Sequence, residues 1–504
     1  MTAICKFSAA ALLMAIGLQA CTLETEVYDD INPSIYPTTE RDAEDMVTAS
    51  LYGAFRNNGY NGLFNAATGV QTSTDMASDY GLCSWDDGGG WMRLASASYG
   101  ATGDSRNVTN FWRDYTNYIS KMTLTIDRIS GMNIDESLKT RLIAELHCGR
   151  GFLAFVLYDL YGPIILADLE TLKNPQEEKI LPRQTDEATR TFIVEELTEA
   201  AKNLPHSYKR GDVGYGRFTK GLCHMVLLKF YMQTAQWDMA EKEGRELMKP
   251  EYGYGLVPEY KDIFTEANEK NEETVWAVNC KHGFQTHKWF PHAMTNNYPG
   301  YTGGWGGYKM TWKFFKTFEA GDKRRETIIY EYVTLEGDTL NEKNKGKEGN
   351  SLAQGVLPMK YDVATANLVG ENCQIDWIVY RYADVITLLA EAIVRKGNTV
   401  TGEAVSLLNR VRTRAGLNAY AENSFSGARD FLNKLLDERG HEFYFEGCRR
   451  QDLIRDGSYV AKMNEKRTDL GWATPVVTND RILFPLQESA IIEGKGIVKQ
   501  NPGY

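Results

Sequence analysis

The stretch Leu227-Leu228-Lys229-Phe230-Tyr231-Met232-Gln233-Thr234-Ala235-Gln236-Trp237-Asp238-Met239-Ala240 sets large apolar side chains at Leu227 and Tyr231, one helical turn apart. Small residues follow at Ala235 and Ala240, with an aromatic at Trp237 between them. Apolar periodicity in the flanking chain predicts one helix over Lys220–Thr234 and another over Trp237–Met248, so the quoted residues turn a helical hairpin. Its small residues let the paired helices approach, and its large ones fill the grooves between them. One such pair cannot bury its own apolar face, so other pairs must stack on it. The fold is therefore mainly α.

A weaker copy of the same spacing runs through Leu389, Ile393 and Gly397 and, after a longer turn, Ala404 and Leu408. Both copies resemble the tetratricopeptide repeat, a helix pair of about 34 residues. Helical periods also mark Thr39 to about Phe55, Asp104–Ser130, Ser137–Leu160 and Asp186–Asn203, and degenerate copies of the pair are expected among the helices before Tyr161. In Ser137–Leu160 one face carries Leu138, Leu142, Leu146, Leu153, Val156 and Leu160. That helix should stop at Tyr161-Gly162-Pro163, where Gly can take a positive φ and Pro cannot continue.

From about Pro250 to Val379 the helical period is lost, and Gly, Asn and aromatics are frequent. Short strand-like runs occur at Thr274–Val278 and Thr327–Leu335, and the polar tract Asn341–Asn350 reads as a loop. Helices return from Tyr380 to about Asp456, and Arg481–Leu486 reads as extended. The expected organisation is a leader over 1–20 and a single unit over 21–504. Within that unit, about 39–250 is helical, about 251–379 is an irregular ligand-binding half with a few short strands, and about 380–504 holds C-terminal helices and a tail.

The chain has 504 residues, 43% hydrophobic and 24% charged, which are globular values that exclude general disorder. Its 56 Lys+Arg face 67 Asp+Glu, a net charge of −11, and the lack of a dominant basic stripe argues against nucleic acid. There is no phosphate-cradling G-x-x-x-x-G-K-[ST], no G-x-S-x-G elbow and no H-E-x-x-H helix; His441-Glu442 lacks the second His. Gly211, Gly214 and Gly216 are spaced backwards for a dinucleotide loop, and the 7 His are scattered. No cofactor, no metal site and no catalytic residues are expected. A glycosidase built on two carboxylates stays open as an alternative, because such pairs meet only in space.

Lys6 is the one charge before an apolar run from Phe7 to Leu18, the length of a signal-peptide core and too short to span a bilayer. It ends in Leu18-Gln19-Ala20-Cys21, which resembles the bacterial lipobox. Cleavage would leave Cys21 as the lipidated N-terminus, tethering the chain to a membrane by acyl chains. The acids Glu24, Glu26, Asp29 and Asp30 that follow resemble the export signals of surface lipoproteins in Bacteroides-type bacteria, and read equally as a solvated linker. The remaining cysteines, Cys83, Cys148, Cys223, Cys280, Cys373 and Cys448, are far apart in sequence and read as buried free thiols.

The C-terminal third carries a broader resemblance. Tyr380-Arg381-Tyr382-Ala383-Asp384-Val385-Ile386 leads into Ala390-Glu391-Ala392, and Leu408-Asn409-Arg410-Val411-Arg412-Thr413-Arg414-Ala415-Gly416-Leu417 follows. Then come Glu438-Arg439, Glu442-Phe443-Tyr444-Phe445-Glu446-Gly447, Arg449, Asp452-Leu453 and Arg455, with Phe484-Pro485 and Gln500-Asn501-Pro502-Gly503-Tyr504 at the end. With Ala144-Glu145, Arg150, Leu160-Tyr161-Gly162-Pro163 and Gly216-Arg217-Phe218-Thr219-Lys220-Gly221 upstream, the order resembles the SusD/RagB family of nutrient-binding outer-membrane lipoproteins. Gly440, where the family usually has Arg, and Cys448, inside a string that is often Gly-x-Arg, depart from it. The charged residues from Glu438 to Arg455, three or four apart, are expected to lie on one helix and make structural ion pairs. Arg381, Asp384, Arg410 and Arg412 are expected to lock helices together. The resemblance implies tetratricopeptide-like pairs packed on an irregular half and a non-catalytic, surface-exposed, lipid-anchored location at the outer membrane. It also implies delivery of bound oligosaccharide, or of peptide as in the RagB branch, to a SusC-like TonB-dependent transporter.

Two patches place aromatic rings on Gly- and Asn-rich backbone with no period of 2 or 3.6. One holds Trp289, Phe290, Asn296, Asn297, Tyr298, Tyr301, Trp305, Tyr308 and Trp312; the other holds Tyr80, Trp85, Asp86, Asp87, Gly88–Gly90 and Trp91. Flat rings suit the C–H faces of sugars and Asn amides reach hydroxyls, so Trp85, Trp91, Trp289, Tyr298, Tyr301, Trp305, Tyr308 and Asn296 are the expected ligand-binding residues. Trp312, beside Phe314 and Phe315, reads as loop packing instead.

Overall fold

A computed structural model describes residues 36–83, 85, 90–101 and 106–504. The leader, Cys21 with the acids after it, and Asp86, Asp87, Gly88 and Gly89 lie outside the described residues. About half of the chain is helical, with few short strands. The long helices are α1 (Arg106–Ser130), α2 (Glu136–Tyr161), α3 (Asp186–Asn203), α4 (Lys220–Gln233), α5 (Trp237–Leu247), α6 (Tyr382–Gly397) and α7 (Gly402–Arg414). Each packs on the next in that order, so α4–α5 and α6–α7, read as two copies of one hairpin, are neighbours in space although far apart in sequence. Where α5 meets α6, a Cβ on Gly244 would stand 3.0 Å from the Leu389 Cβ, so the bare glycine sets how closely the two pairs approach.

Helix ends follow local chemistry. Thr185, Thr219 and Thr401 begin α3, α4 and α7 by accepting a backbone N–H on the side-chain oxygen, and Asp135 does so for α2. Gly162 ends α2 at φ 75°, as the Gly-Pro pair predicts. The helix expected from Thr39 is Glu40–Val47, loosened into a π turn over Thr48–Tyr52 and resumed at Gly53–Phe55. No helix among the described residues is long and apolar enough to cross a membrane.

The irregular half is organised by β1 (Gly81–Cys83), β2 (Thr274–Val278), β3 (Tyr308–Thr311), β4 (Ile328–Ile329), β5 (Tyr332–Val333), β6 (Thr339–Leu340), β7 (Gly355–Pro358) and β8 (Trp377–Arg381). One antiparallel sheet has the order β1-β3-β7-β4, β2 pairs with β8, and β5 pairs with β6. The single strand expected over Thr327–Leu335 is thus two. Ile328–Ile329 joins the sheet, while Tyr332–Val333 turns back through Gly337 at φ 88°. Asn479–Ile482 is a 3-10 turn rather than the start of an extended piece, and the extended backbone begins at Leu483.

The charged residues from Glu438 to Arg455 do not share one helix. They divide between α8 (Ala428–Glu442) and α9 (Arg449–Asp456), with Glu446 in the segment between. Phe445 at φ 55° and Gly447 at φ 79° break the path, and a Cβ on Gly447 would come within 2.8 Å of the Gln71 Cα. Freed from one helix, these side chains pair across elements. Arg439 reaches Asp384 at 2.7 Å and Asp452 at 2.8 Å, Arg455 reaches Glu391 at 2.7 Å, and Arg449 reaches Asp79 at 2.8 Å. Arg381 pairs with Glu273 at 2.7 Å, Glu442 at 2.5 Å and Glu446 at 2.7 Å, tying both β2 and β8 to α8. Arg412 likewise pairs with Glu319 and Glu438, whereas Arg410 rests over the Tyr382 ring at 5.3 Å. At Gly440 a Cβ would meet Arg449 Nη1 at 2.8 Å and Phe314 Cζ at 3.0 Å, so a larger residue would displace the Arg449–Asp79 pair. All six cysteines after Cys21 are buried and unbridged.

Candidate ligand-binding site

Strand register brings the two aromatic patches together. In the β1–β3 ladder Cys83 lies opposite Tyr308, so Trp85, two residues past β1, meets Trp305, three residues before β3. Trp85 Nε1–H donates to the Trp305 carbonyl at 3.3 Å, and their ring centroids stand 6.1 Å apart at 50°. Backbone geometry fixes the loop. Trp305, Gly306 and Gly307 N–H groups donate to the carbonyls of Pro291, Met294 and His292 at 2.7, 2.7 and 2.9 Å. A Cβ on Gly307 would fall 2.4 Å from the Trp85 ring, and one on Gly304 would fall 2.4 Å from the Met294 carbonyl carbon. Glycine is required at both places for the rings to lie where they do.

Trp305 is 44% exposed, Trp85 is half-buried, and His292 lies beneath both, with centroids at 4.9 and 5.4 Å. His292 Nδ1–H donates to the Lys288 carbonyl at 2.7 Å, and burial pushes its pKa down to about 4, so the ring is neutral. Tyr60, 48% exposed, meets His292 edge-on at 5.7 Å. The Lys288 ammonium stands 5.3 Å over Tyr60 and is paired with Glu371 at 3.0 Å. The result is a shallow surface of flat rings with a polar rim, able to stack on a ligand and offer charged partners at its edge.

The structure divides the expected residues. Trp85, Trp305, half-buried Tyr298 and exposed Asn296 reach the surface. Trp289, Trp91, Tyr308 and Tyr301 do not: each is buried, so these rings, expected to face ligand, pack the interior instead. Trp289 lies among Tyr308, Trp377 and Phe445 at 5.9, 5.5 and 5.6 Å. Tyr308 donates its hydroxyl to the Ala67 carbonyl, Trp91 packs on Tyr308 at 5.0 Å, and Tyr301 packs on Phe290 at 6.1 Å. The cause is physical: an aperiodic loop has its own core, and large rings gain most by filling it. Trp312 donates Nε1–H to the Leu352 carbonyl at 2.8 Å and packs on Phe315, as expected.

Tyr60, His292, Lys288 and Glu371 were not legible as site residues. Tyr60 sits in Asn57-Asn58-Gly59-Tyr60-Asn61-Gly62, the same ring-on-Gly/Asn composition that marked the other patches, and that signal could have found it.

The model of the SusD family matches residues 272–504. Over 392 residues the chain is 21% identical to a SusD-like protein of Bacteroides ovatus, covering 72% of this chain and 68% of that protein. Over 446 residues it is 22% identical to the starch-binding protein SusD of Bacteroides thetaiotaomicron, covering 77% of this chain and 76% of that one. The fold superposes on surface glycan-binding protein A of B. thetaiotaomicron, solved with laminarihexaose, with a TM-score of 0.72 at 20% identity, over 92% of this chain and 100% of the other. A SusD-like protein of Bacteroides fragilis gives a TM-score of 0.76 at 21% identity, over 94% and 99%. The helical stack and the irregular half are thus those of the SusD-like fold, and the stretch that carries the C-terminal strings matches the SusD family.

Proposed function

We propose that the chain captures oligosaccharide at the cell surface on the Trp85–Trp305 rings and hands it, unaltered, to a SusC-like TonB-dependent transporter in the outer membrane. Lipidation at Cys21 would hold it there on the outer face. The observation that carries the reading is the half-exposed Trp305 indole set against Trp85, on a fold shared with proteins that bind starch and laminarihexaose. Tyr60, edge-on to the His292 ring beneath both indoles, brings Lys288 and Glu371 to the rim. A binder that must release its cargo needs only modest affinity. Two or three ring stacks at about 0.5–1.5 kcal/mol each, with a few hydrogen bonds, correspond to micromolar to millimolar dissociation constants.

Calorimetry of the mature chain against laminarihexaose, maltooligosaccharides and a wider glycan panel tests this. Trp305→Ala is expected to weaken the productive glycan by about 0.5–1.5 kcal/mol, up to roughly tenfold, with little change in stability. Binding of peptides and of no glycan would move the function to peptide capture on the same fold. Time-dependent appearance of reducing ends would overturn the non-catalytic role, and failure to co-purify with a large β-barrel would remove the transporter from it.

A further inference from the structure

Away from the ring surface a cavity of about 620 Å3 opens between the turn at Glu266–Lys270 and the start of β8. Two carboxyls stand side by side in its wall, because the Asp376 N–H donates to Glu269 Oε1 at 2.8 Å. Asp376 is only 5% exposed. Its Oδ1 accepts the Cys280 N–H at 2.8 Å, but Oδ2 has no partner. A buried carboxylate oxygen left unmatched is costly, and a bound donor would recover that cost. Asn279, on the same wall, also has an unpartnered Oδ1.

Lys270 lowers the pKa of both carboxyls at a distance but forms no ion pair with either. Lys270 lines the cavity, but its ammonium rests over the Tyr215 ring at 4.7 Å. Glu266, the third acid of the wall, is engaged by the Gln374 amide at 2.8 Å. Asn279 and Gln285 also line a neighbouring cavity of about 740 Å3, walled by the rings of Tyr52, Tyr118 and Tyr215, which leaves room for the body of a small ligand.

We infer that this cavity seats the protonated primary amine of a small ligand, its ammonium between Asp376, Glu269 and Asn279. An ammonium carries three donors, and these three side chains offer it acceptor oxygens. A hard divalent cation would demand six or more oxygens, and among the described residues no group of three or more His, Cys, Asp and Glu could hold one. Protonation agrees with this placement. Burial, and then the neighbouring Asp376, lifts Glu269 to about 8, and burial lifts Asp376 to about 6. Near neutrality Glu269 therefore keeps its proton while Asp376 is largely ionised, and a bound ammonium would favour release of the Glu269 proton. The other groups facing the pair are Glu266, Lys270, Lys281, Tyr215 and the Cys280 thiol, which burial keeps protonated. The shifts of the two carboxyls place their titration between about pH 5 and 8. Affinity for an amine that stays charged should rise across that range.

The site is separate from the ring surface, so its test does not depend on glycan capture there. Calorimetry on the mature chain would compare glucosamine with N-acetylglucosamine, and Nα-acetyl-lysine amide with its Nε-acetylated form. At least one amine should bind ten or more times more tightly than its acetylated partner, and the scaffold that does so identifies the source as amino sugar or basic side chain. Nα-acetyl-lysine amide keeps its charge from pH 5 to 8 and reports the pH trend where it binds. Asp376→Asn and Glu269→Gln should each remove the preference. Glu269→Gln retains an acceptor for the Asp376 N–H, so it decides the matter should Asp376→Asn fail to fold. The proposal is overturned if neither amine is favoured tenfold over its acetylated form, or if the preference survives Glu269→Gln.

Discussion

Glu442→Gln is expected to destabilise the chain by about 3–5 kcal/mol, the cost of removing one partner from a buried charge network. Glu442 is fully buried in α8 and pairs with Arg381 at 2.5 Å, Arg324 at 3.3 Å and Arg414. Burial alone would raise its pKa, but the guanidiniums of Arg414, Arg381 and Arg324 outweigh burial and hold the carboxyl well below the usual carboxylate range. Those arginines come from three places: Arg381 ends β8, Arg414 ends α7, and Arg324 lies in the irregular half. Removing the charge at their meeting point leaves buried guanidiniums under-compensated and loosens the join between the two halves. The sign with pH follows from the depressed pKa. The stabilisation is fully present above the unfolded value of 4.5 and is lost as pH falls toward the folded one. Urea unfolding of wild type and variant at pH 7 should therefore show the full difference, and the gap should narrow below about pH 4.5. A variant as stable as wild type at pH 7 would show that the network is neutral to stability.

The same network marks where sequence reasoning reached and where it stopped. Charges three and four apart from Glu438 to Arg455 were legible as structural. Their partners were not, because the break at Phe445–Gly447 turns a local ladder into contacts with Asp79, Arg381, Asp384 and Glu391. Helices α2 to α5 were legible nearly to the residue, since their apolar period and the Gly-Pro stop of α2 are local signals, whereas α6 and α7 were legible as helical without their ends. The pairing of β1 with β3 was not, because it joins residues more than two hundred positions apart through three-residue ladders that carry no pattern. The site depends on that pairing. Composition located its two loops, yet it could not say that Trp85 and Trp305 meet while Trp91 and Tyr308 turn inward, for ring direction in a Gly-rich loop is set by tertiary packing.

Trp289→Ala separates those roles most sharply, and it is expected to cost about 3–5 kcal/mol of stability, as large-to-small changes at buried aromatics do. Trp289 is 2% exposed and packs on Tyr308, Trp377 and Phe445. It therefore joins the short helix at 289–293 to β3, to β8 and to the segment between α8 and α9. The helix it anchors carries His292, on which Trp85 and Trp305 rest. Loss of the indole should thus lower the unfolding midpoint strongly, and weaken glycan binding only through disorder of the platform above it. Trp305→Ala should do the reverse, sparing the midpoint while removing a stacking face, because nearly half of that ring already faces water. Denaturant unfolding and calorimetry on both variants give two independent axes. A Trp289→Ala chain with a wild-type midpoint and no glycan binding would place the ring against ligand, and would reverse the assignment of surface and core in this loop.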